Sequence, residues 1–353
     1  MTISLVVATA FSVIVLLAAA SLFGLGLVTL FASDLAWPAR ILIGAPLLGL
    51  GWLGRPRWTK LPAGCQKAED YPALNRLLRT VAGALRLAAP SCVAVDSAFN
   101  ASIGRFGLKG DTLLTLGLPL AAALEPQELV ALIGHELGHL AAGDPQRHWL
   151  IGTTVNILAN WHDALHPGVL WAVRPTFFEQ LYTFLANLLL LGLATLVRPP
   201  LWVLSLLLWR ESQRAEYRAD QIAAGLAGRR ALASLFRKLG RAGQVDDVVQ
   251  ARALSSRQRP GARDLITRIH ELDWRVSNGP PTDAEAGYVV ERDLEADASH
   301  PPRGYRLDLL FAHGPEAATV TLGQGEFEAI RAELQTRAAD VEARLIDGYL
   351  SRL

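Results

Sequence analysis

The first charged side chain in this sequence is Asp34. From Met1 to Ser33 the chain is uncharged and built mostly of Leu, Val, Ala and Ile. A helix needs about 20 apolar residues to cross a bilayer core, so this stretch is long enough, and few water-facing folds could hide it. A secretory signal is the competing reading. It would need a basic start, which Met1-Thr2-Ile3-Ser4 lacks, and a shorter apolar segment. The stretch therefore reads as an uncleaved anchor. A second apolar stretch, Ile41 to Gly54, is bounded by Arg40 and Arg55. It can cross with Arg40 snorkelling and with Trp37 and Trp52 near the interfaces.

The flanking charges orient these segments. Arg55, Arg57 and Lys60 follow the second stretch, whereas the loop from Asp34 to Arg40 carries one acid and one base. The positive-inside rule places the loop outside and the rest of the chain in the cytoplasm. The expected location is a cell membrane, multi-pass, with the lipid bilayer as a partner. Charged residues make up 19% of the chain, against about 25% in soluble domains, and the net charge is +1. That balance excludes a basic nucleic-acid binder, and 51% hydrophobic content excludes a disordered chain. Cys65 and Cys92 lack metal-site spacing and read as free thiols.

Beyond the anchor, Leu74, Leu77, Leu78, Val81 and Leu85 recur at helical spacing after Tyr71-Pro72. Cys92 to Val95 has β character, and Arg105 to Gly117 reads as a hairpin turning at Lys109-Gly110-Asp111. Pro126 opens a strong helix running to about Gly143. From Trp149 to Trp209 the chain turns apolar again, with an expected break at Arg198-Pro199-Pro200. Another helix follows to about Leu226. Ala318 to Leu322 reads as a strand. Glu326 to Leu353 reads as one amphipathic helix, with Phe327, Ile330, Leu334, Ala338 and Val341 at core spacing.

The helix from Pro126 contains His135-Glu136-Leu137-Gly138-His139, an HExxH. Histidines at i and i+4 share one helical face, so both imidazoles reach a single Zn²⁺. Glu136 is placed to take a proton from the attacking water. Both histidines lie in the apolar stretch Leu129 to Leu140, where unpaired polar groups are costly. A catalytic zinc needs a third protein ligand and one open position. A histidine six residues past His139 would supply it in one class of such enzymes, but that position is Pro145. The other source is a carboxylate on a second helix. Arg214 to Asp220 offers Glu216 and Asp220 one turn apart, Glu216 to ligate and Asp220 to fix a histidine tautomer. Spacing alone leaves this open, because Arg210, Glu211, Arg214 and Arg218 would equally make it a solvated charged face.

Four separated motifs together resemble one family: the membrane zinc metallopeptidases of the HtpX and CAAX prenyl protease type, within the gluzincins. They are the HExxH, with Asp144 after it; Glu216-Tyr217-Arg218-Ala219-Asp220; Asn100-Ala101-Ser102-Ile103-Gly104; and His300-Pro301-Pro302-Arg303-Gly304-Tyr305-Arg306. The resemblance spans roughly 96–310. It implies that His135, His139 and Glu216 hold Zn²⁺, that Glu136 is the general base, and that Asp220 orients His135. It also implies that His300 stabilises the oxyanion with support from Arg306. Asn100 and Ala101 would bind substrate backbone at a sheet edge, where an extended peptide can add as a strand.

One region departs from the family pattern. Its members have a clear transmembrane hairpin between the HExxH helix and the Glu helix. Here 149–209 is interrupted by His162, Asp163, His166, Arg174 and Glu179. His139 and Glu216 must share one zinc, so the chain between them crosses the bilayer an even number of times. Trp149 to Trp161 and Leu201 to Trp209 are short partners for Thr183 to Val197 at about 1.5 Å per residue. The region reads either as a strained hairpin or, as preferred here, as a membrane-contacting segment without full crossing.

The expected fold is α+β: a mainly helical gluzincin-type metallopeptidase domain with a small β-sheet and N-terminal transmembrane helices. Residues 1–60 form the membrane anchor. Residues 61–240 form the metallopeptidase core, with the internal apolar region 149–209. Residues 241–353 carry the HPPxxxR motif and a terminal helix. The expected activity is zinc-dependent hydrolysis of peptide bonds in protein or peptide substrates at the cytoplasmic face, in the manner of membrane-protein quality control. Two alternatives are a narrow processing protease for prenyl-peptides or pro-peptides, and a non-catalytic, zinc-stabilised membrane scaffold. A purely structural zinc site would have no need of Glu136.

Overall fold

A computed structural model describes residues 3–32, 34–56, 61, 64–106, 110–166, 177–255, 265–277, 279–280 and 301–351. Arg57, Lys60, Lys109, Arg174 and His300 lie outside the described residues. The chain divides into two compact units. One comprises Met1–Arg57 and Gln146–Ser212, the other Trp58–Pro145 and Gln213–Leu353. The fold is α+β and mainly helical, with one small mixed sheet.

The first unit is a helical bundle. It holds α1 (Ile3–Phe31) and α2 (Trp37–Leu53), and later in the chain most of α6 (Asp144–Leu165) and the first part of α7 (Phe177–Ala227). Glycines let α1 and α2 approach backbone to backbone. A Cβ at Gly26 would sit 2.6 Å from the Leu48 nitrogen, and one at Gly51 2.5 Å from the Phe23 nitrogen. Between apolar helices, such close packing replaces the hydrophobic drive. Trp161 of α6 donates its indole N–H to the Leu50 carbonyl at 2.8 Å. Its ring joins Ala8, Val15, Ile151, Leu158 and Leu204 in a buried cluster.

The apolar exterior of this unit is extensive. Ile14, Leu17, Leu42, Leu189, Leu196 and Trp202 are all more than half exposed. Among the described residues, two helical stretches, Val6–Phe31 and Thr183–Ala227, are long and apolar enough to cross a membrane. Helix α6 runs for 22 residues, about 33 Å, longer than the Trp149 to Trp161 core suggests. His162 and Asp163 fall in its last turn. The expected break at Pro199-Pro200 does not occur, and α7 continues through both. Two prolines remove the ladder bonds to the Thr195 and Leu196 carbonyls. Val197, Leu201 and Leu204 nevertheless pack on the bundle cluster on both sides of the pair, and prolines are tolerated in apolar helices packed in this way.

The second unit begins at the sheet: β1 (Gln66–Lys67), β2 (Cys92–Asp96), β3 (Ala101–Phe106) and β4 (Asp111–Gly117), in spatial order β1-β2-β4-β3. β2 and β4 are parallel, and the other pairings are antiparallel. The expected hairpin is β3–β4, with Gly110 at φ +69°, a left-handed turn position that favours glycine. β3 is an edge strand. Helix α3 (Pro72–Ala84) buries Leu74, Leu77, Leu78 and Val81, as the periodicity predicts. Short α4 (Leu118–Ala123) leads into α5 (Pro126–Ala141).

A buried polar knot fixes the start of α5. Glu125 and Glu128 form a capping box, with the Glu125 N–H donating to Glu128 Oε2 at 2.7 Å. Lys238 of α8 (Arg229–Leu239) donates to the same oxygen at 2.7 Å and to the Ala123 carbonyl at 2.8 Å. Ser234 donates to the other Glu128 oxygen. Helices α9 (Ala242–Ser255), α10 (Leu265–His270) and α11 (Arg303–His313) follow.

The C-terminal reading needs two corrections. Ala318 to Leu322 is not a strand. Its Thr319 and Val320 amides instead donate to the Leu226 carbonyl at 3.0 and 2.9 Å, capping the end of α7. The terminal helix is two helices, α12 (Gln324–Gln335) and α13 (Ala338–Leu350), turning at Thr336-Arg337. The turn lets Glu333 cap α3, accepting from the Ala73 and Leu74 amides at 2.6 and 3.0 Å. Phe327, Ile330, Leu334, Ala338 and Val341 are core residues, as their spacing predicts.

Removing one partner of a buried ion pair strands the other. Lys238→Ala should therefore lower stability by about 3–5 kcal/mol, read as a fall in the denaturant midpoint at constant m-value. A change below about 0.5 kcal/mol, as at surface sites, would show that the pair does not anchor α5.

Candidate metal centre

Helices α5 and α7 lie antiparallel within the second unit, and small residues set their separation. A Cβ at Gly138 would stand 3.1 Å from Ala219 Cα, and one at Gly134 3.4 Å from Ala223 Cα. Gly134 and Gly138 are one turn apart, as are Ala219 and Ala223, so two smooth faces meet. Their spacing was visible in the sequence, but its meaning appears only once the helices are paired.

This contact brings three side chains together. His135 Nε2 and His139 Nε2 are 3.2 Å apart. Glu216 Oε2 is 3.5 Å from the first, and Glu216 Oε1 is 3.4 Å from the second. Donors about 2.0–2.1 Å from a tetrahedral zinc are separated by about 3.3 Å; the two histidine nitrogens match this, and each faces a different Glu216 oxygen at a comparable distance. Two imidazoles and one carboxylate form a common catalytic zinc set, and these three residues group as a candidate metal site. Glu136 follows His135 directly, is buried, and sits about 60° round the helix from His139.

Behind the donors lies a charged layer. Asp220 Oδ1 is 3.1 Å from His135 Nδ1, the side of the ring facing away from the donor cluster. Arg306 of α11 grips Asp220 with both arms of its fork, Nε to Oδ2 at 2.8 Å and Nη2 to Oδ1 at 2.6 Å. The same Nη2 is 3.2 Å from Glu216 Oε2. The guanidinium also lies over the Phe236 ring, 4.3 Å from its centroid, a cation–π contact. Glu216, Asp220 and Arg306 are all buried.

The titration behaviour matches this layout. Burial works against charge on His135, but the Asp220 and Glu216 carboxylates overcome it and hold its pKa above the ordinary value. Burial likewise opposes the Arg306 charge, and Asp220 and then Glu216 outweigh it, raising its pKa. Two buried carboxylates against one guanidinium leave a negative surplus, an environment that favours a cation between the histidines.

Arg306 pairs with Asp220 and Glu216; the support for His300 that the resemblance implies involves a residue outside the described ones. Asn100 and Ala101 lie at the start of the edge strand β3. Asn100 Oδ1 accepts from the Ala101 amide at 2.8 Å, and the Asn100 carbonyl accepts from Gly117 at 2.9 Å. The Ala98 carbonyl would lie 1.7 Å from any Cβ at Gly117, so glycine is required for this turn. The packing roles of Gly117, Gly134 and Gly138 and the pairing of Glu128 with Lys238 are not legible in the sequence.

Residues 69–312 match the pattern of Peptidase family M48. A Protease HtpX from Pseudomonas paraeruginosa is 26% identical over 186 residues, covering 48% of this chain and 58% of that protein. One from Psychrobacter sp. is 29% identical over 171 residues, covering 43% and 50%. The chain thus spans between half and three-fifths of the length of these relatives.

Gly138→Val should force α5 and α7 apart beside the ligands. Expected are a loss of about 1–3 kcal/mol from overpacking and a substoichiometric zinc content after dialysis. A variant retaining one zinc per chain and wild-type stability would show that the close approach is dispensable.

Proposed function

The chain belongs to Peptidase family M48, and on that premise we propose that it is a membrane-bound, zinc-dependent endopeptidase. One observation carries this reading: two histidine nitrogens 3.2 Å apart, each facing an oxygen of the same carboxylate at 3.4–3.5 Å, with a buried glutamate next to the histidines on their helix. His135, His139 and Glu216 would hold the ion. Zinc bound there would polarise the scissile carbonyl and acidify a water.

The chain's own groups do the rest. Glu136 accepts the proton of the attacking water and delivers it to the leaving amine. Asp220 keeps His135 in the tautomer that presents Nε2 to the cation. Arg306 holds Asp220 and Glu216 in place and touches no reacting atom, so it is a positioning residue. His300 donates to the developing oxyanion. An extended protein substrate pairs with the edge of β3, met first by Asn100 and Ala101.

The exposed apolar surface of the first unit supports placement in a lipid bilayer. His139 and Glu216 share one ion, so the intervening chain returns to the side it left. The apolar part of α7 is long enough to cross, whereas α6 is long but not apolar throughout, which favours a membrane-contacting region without full crossing rather than a hairpin. The basic cluster Arg55, Arg57 and Lys60 supports a cytoplasmic catalytic unit. An enzyme of this design is suited to cleaving unfolded or membrane proteins in quality control.

Glu136→Gln should keep one zinc per chain and cut hydrolysis of casein in detergent by about 10²–10⁴-fold. Cleavage by that variant at the wild-type rate would remove Glu136 from the mechanism. A wild-type chain holding stoichiometric zinc but hydrolysing no peptide pool would make it a scaffold.

A further inference from the structure

The contact between α5 and α7 reads as a ladder. Gln127 meets Ala227, Gly134 meets Ala223 and Leu226, Gly138 meets Ala219, and His135 and His139 meet Glu216. Along α7 the ladder runs from Ala227 down to Glu216, about 16 Å. Its middle rungs are glycine and alanine. They fix how close the helices come, and apart from the Leu226 side chain seated over Gly134 these rungs present little to resist sliding. A slip of one residue moves Glu216 by about 1.5 Å, far beyond the roughly 0.2 Å that zinc–ligand distances tolerate. Axial register must therefore be fixed by directional contacts.

The rung most remote from the ligands supplies one. Gln127 Nε2 donates to the Ala227 carbonyl at 3.2 Å and to the Val320 carbonyl at 2.7 Å. The acceptors are themselves tied together, because the Thr319 and Val320 amides cap the Leu226 carbonyl. One side chain near the start of α5 thus grips the last residue of α7 and the C-terminal segment that caps it. The other partner at this end, the Glu128–Lys238 pair, joins α5 to α8 rather than to α7.

We propose that Gln127 is a positioning residue of the metal centre, pinning the α5–α7 register so that Glu216 stays within reach of His135 and His139. The inference rests on the zinc reading above. It gives the segment around Val320 a task, that of holding the far end of the ligand helices.

The test compares full-length wild type, Gln127→Leu and Glu333→Gln in detergent. Glu333→Gln weakens the α3 cap and serves as a control for stability lost elsewhere. Zinc affinity is measured by chelator competition, and the melting temperature of each zinc-free form is measured beside it. The expected result is zinc bound about 10-fold or more weakly by Gln127→Leu, with Glu333→Gln destabilised but unchanged in zinc affinity. If Gln127→Leu does not fold, the shorter Gln127→Asn is read in the same way. Wild-type zinc affinity in the Gln127 variant overturns the proposal. So does an equal loss of affinity in Glu333→Gln, which would mean that general stability sets zinc binding. A wild-type chain that takes up no zinc overturns the zinc reading first, and this inference with it.

Discussion

The metal centre depends on how closely two helices approach each other. Helix axes usually pack 8–10 Å apart, at a distance set by the side chains between them. Gly134 and Gly138 against Ala219 and Ala223 reduce that filling to almost nothing. Glycine inside a helix costs about 1 kcal/mol relative to alanine, and α5 carries two of them in the stretch that also carries the ligands. The buried surroundings of α5 offset that loss, since nearly every residue from Glu128 to Gly138 is out of solvent. The reward is geometric: a carboxylate on one helix falls within 3.5 Å of imidazoles on the other.

Close approach also concentrates charge. Glu216 and Asp220 are buried one turn apart, and two carboxylates in a dry site would each favour protonation. At Asp220, burial opposes ionisation, but Arg306 outweighs it and holds the carboxyl below its ordinary pKa, with a forked grip that lysine could not reproduce. The same logic governs the other end of α5, where Lys238 neutralises Glu128 against the helix start. Among the described residues, one buried ionic knot thus lies under the ligands and another under the cap. In each the opposite charges are paired, a condition under which buried charge is tolerated.

Much of this was legible in the sequence. The HExxH, the Glu216-to-Asp220 spacing and the amphipathic α3 all depend on local periodicity, which one strand of text displays. The α+β class followed from a β-hairpin among helices. What escaped depends on pairing between distant segments. Lys238 looks like an ordinary basic residue in the last turn of α8 until Glu128 is beside it. Ala318 to Leu322 has strand-like composition, but its amides serve a helix end, a use that composition does not encode. Pro199-Pro200 is a correct local signal for a break, overruled by packing on either side. The turn between α12 and α13 was hidden because Ile330, Leu334, Ala338 and Val341 keep helical spacing across it.

Helix α7 shows why an average of 51% hydrophobic residues misleads. In its first part, Leu185, Leu188, Leu189, Leu196 and Trp202 are all more than half exposed. In its last part, Ala215, Ala219 and Ala223 are buried together with Glu216 and Asp220. A helix that exposes its leucines at one end and buries its carboxylates at the other cannot be satisfied by one solvent. Water suits the second end, where polar groups are paired and the small residues pack. Only an apolar medium suits the first, because contiguous apolar surface of this extent is costly in water. The change falls near Trp209-Arg210, where an indole and a guanidinium stand together, the residue types that mark a membrane–water boundary. Glu216 thus lies less than two turns beyond Trp209 on the same helix, and the two ends of α7 meet opposite demands within one continuous ladder.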